Sequence, residues 1–376
     1  MNDWRHVVWA LKLASRLTLR LTLRLTLRLT LKLTSKLTLE LASKLAFSAL
    51  LLSVSLVSVH ALASSLPTGK TRFNFVDQLG DPARPITIWM FVPDGCDATC
   101  PLQFVMHGMQ RNGETYLDSW SRFAKERKFI VIAPEFSRQY FPRDDDYSLG
   151  RATTEKDVNK WAFAAPDHLF DELKARYGFT AASYRLFGHS AGGQFVHRLH
   201  LFYPDHHASP IIAANPGWYT QFEWGIDKNG DASKFKFPYN TIGSRIDEAR
   251  ARAALGRAFV LMLGDKDIDA NDASLNHSAG ADAQGLDRLQ RGRNFLLNAK
   301  AAAQNLQATA GVGTGALADV EQRWNWQSII VPGVAHDNAA MAKAAVEFMY
   351  AHPESLADHN RRSDVIIKAN HKAEPK

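Results

Sequence analysis

The residues best suited to chemistry are Gly188-His189-Ser190-Ala191-Gly192, a G-x-S-x-G pentapeptide. Residues 184–190 (YRLFGHS) before and at it read as a strand, and residues 191–202 read as a helix. That setting is what the pattern needs. A serine on a sharp strand-to-helix turn stands clear of the backbone, and small neighbours let strand and helix approach. A serine in a glycine-rich turn can also be only a helix cap, but the flanking strand and helix favour a nucleophile. Its hydroxyl is weak at its free pKa, so acyl transfer through Ser190 calls for a base and for an acid that orients the base.

His336 is the candidate base among fourteen histidines, because it follows the strand-like run 326–333 and precedes the helix-like run 338–350. The acid belongs in the loop after residues 258–265, where Asp265, Asp267, Asp269 and Asp272 crowd together. The spacing G-x-x-D from Gly264 selects Asp267. Asp269 would point the same way in extended backbone and stays in reserve. The chosen carboxylate orients His336 and stabilises its imidazolium without accepting the proton. Acyl transfer also needs two N–H donors for a developing oxyanion. Ala191, after the serine, supplies one, and Met109 in His107-Gly108-Met109-Gln110 supplies the other. Gly108 lets the backbone come close, and His107 is read as a brace for that loop.

These residues must be held by a framework, and the pattern predicts one. Residues 86–93, 103–108, 129–136, 184–190, 210–217, 258–265 and 326–333 read as strands, several of them apolar without alternation, as in a parallel sheet covered on both faces. Residues 114–127, 167–177, 191–202, 287–304 and 338–350 read as helices. The alternation predicts an α/β fold: a mostly parallel, doubly wound sheet with helices on both faces. Residues 217–239 break the rhythm and are dense in aromatics. They predict a small cap insertion in which Trp218 and Tyr219 either wall the acyl site or pack the cap itself.

The amino-terminal segment reads differently. Residues 45–63 are almost wholly apolar or small, follow Lys44 and end Ala61-Leu62-Ala63, so residues 44–63 predict a signal peptide cleaved before Ser64. Residues 1–43 form a leader whose Leu-Thr-Leu-Arg repeat has a strand's period but no partner sheet, and it reads as low complexity. Nine of the chain's 45 Lys and Arg but only two of its 38 Asp and Glu fall in residues 1–63, leaving 36 of each beyond. The remainder is therefore neutral and predicts no nucleic-acid partner. Residues 64–352 suit one catalytic domain, and residues 353–376 a polar tail that frays. Export also permits a local disulfide between Cys96 and Cys100. Two motifs are set aside: residues 227–231 resemble the start of a calcium loop but lack its Gly and Glu, and Asp205-His206-His207 reads as a solvated turn, so no metal is expected.

Taken together, VMHGMQRNG, FIVIAPEF, YRLFGHSAGGQF, AANPGWYTQFEW, LMLGDKDIDANDASL and VPGVAHDNAAM resemble the secreted α/β-hydrolases grouped with poly(3-hydroxybutyrate) depolymerases and feruloyl-esterase-like enzymes, over about residues 86–350. Methionine stands after His107-Gly108, where many depolymerase relatives have cysteine. The resemblance implies a secreted or periplasmic enzyme that hydrolyses carboxylic esters through an acyl-serine and needs no cofactor. Its partner would be a small or polymeric apolar ester, with no stable membrane association after signal cleavage. A peptidase on the same fold and a non-catalytic binding relative are the competing readings, and the filled Ser190, Asp267 and His336 positions speak against the second.

Overall fold

The computed structural model describes residues 22–26, 28, 64–224, 233–310, 324–351 and 364–366. The chain divides into two units, Met1–Leu62 and Ala63–Lys376. In the first, residues 22–26 and 28 are helical and exposed, and the Thr26 hydroxyl donates to the Thr22 carbonyl at 2.8 Å. The strand period of the repeat is not expressed there. Alternation gains nothing without a facing strand, whereas Leu and Arg are good helix formers and threonine can bond back one turn. The predicted signal peptide at 44–63 and the calcium-loop-like run 227–231 lie outside the described residues.

The second unit is built on a nine-stranded sheet: β1 (Gly69–Phe75), β2 (Ile86–Val92), β3 (Leu102–Met106), β4 (Ile130–Glu135), β5 (Tyr184–His189), β6 (Ala208–Ala214), β7 (Phe259–Gly264), β8 (Trp326–Val331) and β9 (Asp364–Ile366). Its spatial order is β1-β2-β4-β3-β5-β6-β7-β8-β9. The β1–β2 and β2–β4 pairs are antiparallel, and every pair from β4–β3 onward is parallel. The helices are α1 (Gly113–Arg127), α2 (Ala165–Tyr177), α3 (Ala191–Phe202), α4 (Glu248–Gly256), α5 (Ala279–Asp282), α6 (Arg288–Ala310) and α7 (Asn338–Ala351).

Two apolar clusters sandwich this sheet, as a doubly wound fold requires. Trp120 of α1 and Met341, Val346 and Phe348 of α7 pack on one face, with Phe187 and Ile212. Phe170 of α2, Phe195 and Leu199 of α3, Ala251 of α4 and Phe295 of α6 pack on the other. Helix α3 is buried along its whole length because it starts beneath the central strand β5. Cys96 and Cys100 form the expected disulfide. Among the described residues no helix is long and apolar enough to cross a membrane.

The sheet extends beyond the runs that read as strands. β1 (GKTRFNF) is an edge strand with its even positions exposed, so charge hides its period. β9 falls inside the tail expected to fray, where it pairs Ser328 with Asp364 and Ile330 with Ile366 as a parallel edge strand.

Candidate functional site

Ser190 follows β5 and caps α3 with φ 59° and ψ −119°, a region that residues other than glycine rarely adopt. The turn closes only because of its glycines. A Cβ on Gly188 would lie 2.2 Å from the Gly192 carbonyl oxygen, and one on Gly192 would lie 2.1 Å from that of Met106. The Ser190 N–H donates to the Ala214 carbonyl at 3.0 Å, which ties the strained turn to the end of β6.

His336 reaches the serine from the loop between β8 and α7. Its Nε2 lies 2.9 Å from Ser190 Oγ, and its Nδ1 lies 2.7 Å from Asp267 Oδ2. A neutral ring so placed carries its proton on Nδ1 toward the carboxylate and turns the Nε2 lone pair to the hydroxyl. Asp267 stands just beyond β7 and is buried. Its other oxygen, Oδ1, meets Arg288 at 3.3 Å, and the same guanidinium binds Asp272 at 3.1 Å and the Ser274 hydroxyl at 2.7 Å. Asp269, held in reserve, is exposed and accepts the Asn271 N–H at 2.9 Å. The structure thus brings together Ser190, His336 and Asp267 and leaves Asp269 outside.

The loop that carries His336 is clamped to the sheet. Asn215, with φ 43°, donates to the Ala335 carbonyl at 3.0 Å and accepts the Gly264 N–H at 2.8 Å. Lys266 N–H donates to the Val334 carbonyl at 2.9 Å. A side chain at Gly264 would have no room, since its Cβ would lie 2.3 Å from the Val334 oxygen.

On the other side of Ser190, His107 braces the loop of Met109. Its Nε2 accepts the Phe136 N–H at 3.0 Å, which puts the ring proton on Nδ1, facing the Gly108 carbonyl at 3.0 Å. Burial holds this histidine neutral, with its pKa lowered to about 3. Tyr147 donates to the His107 carbonyl at 2.7 Å, and Arg138 donates to that of Met109 at 2.9 Å. A Cβ on Gly108 would lie 3.7 Å from that of Ser190, so the backbone of this loop runs alongside the nucleophile. Met109 and Ala191 are the residues whose N–H groups follow Gly108 and Ser190. Such a pair can take the oxygen of a carbonyl attacked by Ser190.

Trp218 and Tyr219 are both buried. Tyr219 has no exposed surface. Its ring stacks on Phe295 of α6 with centroids 4.5 Å apart, so it is core and not a surface for substrate. Trp218 is buried over the Arg198 guanidinium at 4.2 Å. An aromatic-rich segment folded against a long helix gains more by filling the core than by standing over solvent. His206 is likewise buried and not solvated, bonded to His200 at 3.3 Å and to Arg257 at 2.7 Å. Among the described residues no cluster of His, Cys, Asp or Glu could hold a metal ion.

The solved structure of poly(aspartic acid) hydrolase-1 from Sphingomonas sp. KT-1 is 31% identical, with a TM-score of 0.66, over 76% of this chain and 100% of that one. The poly(3-hydroxybutyrate) depolymerase LpqC from Bordetella parapertussis is 29% identical, with a TM-score of 0.65, over 78% of this chain and 95% of that one. The chain belongs to the α/β-hydrolase family, in its esterase and depolymerase-like group. No family model matches it, and a search of curated proteins finds no match.

As a member of this family the chain holds several site neighbours that its motifs do not reveal. Asn215 is visible only as an Asn after an apolar strand and before Pro216, and Arg288 only as a cation opening a helix. His189, next to the serine, packs its ring 4.6 Å from that of His336, and its Nδ1 lies 3.2 Å from the Tyr116 hydroxyl. Burial first, then the neighbouring His336 and Arg288, hold His189 well below the usual histidine range, so it is neutral. A histidine beside a nucleophile invites a proton-transfer role, but only the three-dimensional packing separates it from His336.

Proposed function

We propose that this protein is an exported serine hydrolase that cleaves carboxylic esters through an acyl-serine intermediate. The observation that carries the reading is the unbroken line from Ser190 Oγ through His336 to Asp267, at 2.9 and 2.7 Å, with the serine held on a strained turn.

In the first half-reaction Ser190 Oγ attacks the ester carbon while its proton passes to His336 Nε2. The carbonyl oxygen becomes an oxyanion that accepts from the Met109 and Ala191 N–H groups, and Asp267 steadies the imidazolium through Nδ1. Collapse breaks the carbon–oxygen bond of the leaving alcohol, which takes the proton from Nε2. A water molecule then gives its proton to Nε2 and attacks the acyl carbon, and Ser190 leaves with that proton. The cycle closes with no electron transfer and no cofactor.

The substrate is a small or polymeric ester with an apolar acyl part, and the balanced charge of residues 64–376 argues against nucleic acid. The Cys96–Cys100 disulfide and the signal-like residues 44–63 support a secreted or periplasmic location, with no stable membrane association after cleavage. A second reading, cleavage of amides by the same line, is favoured by the relative named for poly(aspartic acid), a polymer joined by amide links. Fluorophosphonate labelling, followed by turnover on esters from acetate to long acyl chains, on polyhydroxybutyrate and on poly(aspartic acid), separates these. Labelling with ester turnover supports the first reading, amide turnover alone supports the second, and no labelling defeats both.

A further inference from the structure

We propose that Arg288 is the residue that positions Asp267 and sets the electrostatic balance of the Ser190–His336–Asp267 line, and that it thereby fixes the acid limit of the enzyme's working range. This rests on the hydrolase reading above and specifies how that site is regulated by pH.

Arg288 stands where a cation is otherwise disfavoured. It opens α6, at the end of a helix that repels positive charge, and its side chain is 2% exposed, so it has given up nearly all its hydration. What holds it there is a pair of carboxylates from one loop, Asp267 at 3.3 Å and Asp272 at 3.1 Å, with the Ser274 hydroxyl at 2.7 Å. The division of Asp267 is informative: Oδ2 meets His336 Nδ1, and Oδ1 meets Arg288. A carboxylate held at both oxygens cannot rotate away from the histidine. The Leu289 N–H, next along α6, also donates to the Asp267 carbonyl at 3.2 Å, so the helix start grips the residue twice.

The same contact sets the charge that His336 experiences. An anion behind the ring favours the imidazolium, and a cation behind that anion opposes it. The other groups facing the line leave this balance to Arg288 and Asp272. His189, packed on His336 from β5, is neutral. Tyr219, from the segment after β6, lies near Asp267 as an un-ionised hydroxyl, its pKa raised well above the usual value by burial and then by Asp267. Arg291, one turn along α6, is paired with Asp282 at 2.9 Å. Asp265 is turned to the Gly333 N–H at 2.7 Å. Lys266 and Asp269 are exposed, as is Asp337 beside His336, whose carboxylate accepts the Ala339 N–H at 2.7 Å and the Ala340 N–H at 3.0 Å.

Attack needs His336 neutral, so the rate falls on the acid side as the ring takes a proton. Arg288→Gln removes the opposing cation, favours the imidazolium and moves the acid limb to higher pH by about one unit. Arg288→Lys keeps the charge and should hold the limb within about 0.3 unit of wild type, with a lower maximum from its poorer fit to two carboxylates. Asp272→Asn frees the cation from its second anion and moves the limb the other way, by about half a unit, since that carboxylate is partly exposed.

The test is the rate of fluorophosphonate labelling of the full chain from pH 5 to 9, which reads serine activation whatever the natural substrate. Shifts of opposite sign for Arg288→Gln and Asp272→Asn, with Arg288→Lys near wild type, support the proposal. A loss of rate with an unmoved limb, or equal shifts for Gln and Lys, overturns it in favour of a purely structural role. Should Arg288→Gln not fold, the sign of the Asp272→Asn shift decides. A wild type that never labels refutes the hydrolase reading and this proposal with it, whereas a labelled wild type whose variants keep its profile refutes this proposal alone.

Discussion

At the carboxyl end of β5, His336 lies between a hydroxyl at 2.9 Å and a carboxylate at 2.7 Å; near the amino end of β6, His200 and His206 lie between the Ala254 carbonyl at 2.7 Å and the Arg257 guanidinium at 2.7 Å. Both are hydrogen-bonded histidine lines, the first of one ring and the second of two. They differ in what stands at the ends. His336 has an anion behind it that can stabilise a proton taken from the hydroxyl in front, and its side chain is 19% exposed. His200 and His206 have a cation behind them and are buried, and burial lowers their pKa values to about 3 and about 2. A histidine line can move a proton only where the charge it would acquire is compensated, so the second is structural.

The sharpest way to break this contrast is to remove the hydroxyl. Ser190→Ala should lose about 10⁴-fold or more in kcat and all covalent labelling while keeping its thermal midpoint, because one oxygen at a partly exposed turn is lost. Near-wild-type turnover in that variant would show that the reacting group lies elsewhere. The corresponding change in the other line, His206→Gln, should leave kcat within about twofold, since it touches none of the residues around Ser190.

Asp267 and Asp269 stand in one loop with opposite surroundings. Asp267→Asn keeps the shape of the side chain but removes the anion and allows the wrong ring tautomer, and it should cost about 10⁴-fold in kcat. Asp269→Asn removes only the acceptor for the exposed Asn271 N–H and should change kcat by less than about threefold. Steady-state rates of the two variants on one ester decide the matter, and a severe Asp269→Asn defect beside a mild Asp267→Asn one would reverse the assignment. A smaller loss, about tenfold in kcat, is expected of Asn215→Ala, which frees the Ala335 carbonyl from its tether and lets the His336 loop drift. An unchanged kcat in that variant would mean that Lys266 N–H alone holds the loop.

Why Ser190 and His336 could be read from sequence, and Arg288 and Asn215 could not, is a matter of where each constraint is recorded. Ser190 is fixed by local sterics: two glycines within two residues, a strand before and a helix after, all contiguous in the chain. His336 and Asp267 are fixed by the ends of β8 and β7, whose apolar runs announce themselves. Arg288 and Asn215 act across 21 and 120 residues of sequence, through contacts that leave no periodic trace. The doubly wound sheet was legible for the same reason as the serine, in apolar strands spaced by helices, while β1 was hidden by its charged outer face and β9 by the polar tail around it. Tyr219 failed in the opposite direction. An aromatic beside a catalytic loop looks the same in sequence whether it lines a cleft or fills a core, and only its stacking on Phe295 settles which.

The buried histidine line also predicts a small stability difference with pH. His200 and His206 are neutral in the folded chain down to about pH 3 and about pH 2, whereas in the unfolded chain each takes a proton near its ordinary value of about 6.5. Their contribution is therefore complete above about pH 6.5 and is lost as pH falls, at about 1.4 kcal/mol per unit for each histidine that stays neutral in the fold. His206→Gln removes one such proton from the unfolded state. The variant should be less stable than wild type at pH 7.5 by about 1–2 kcal/mol, because the His200 and Arg257 partners are imperfectly replaced. That deficit should shrink steadily toward pH 5, since wild type loses the larger share of its stability on the way down. Urea midpoints at half-unit steps of pH measure the two slopes. Parallel slopes would mean that His206 takes up its proton over the same pH range in the folded and the unfolded chain, and the line from Ala254 to Arg257 would then not hold it neutral.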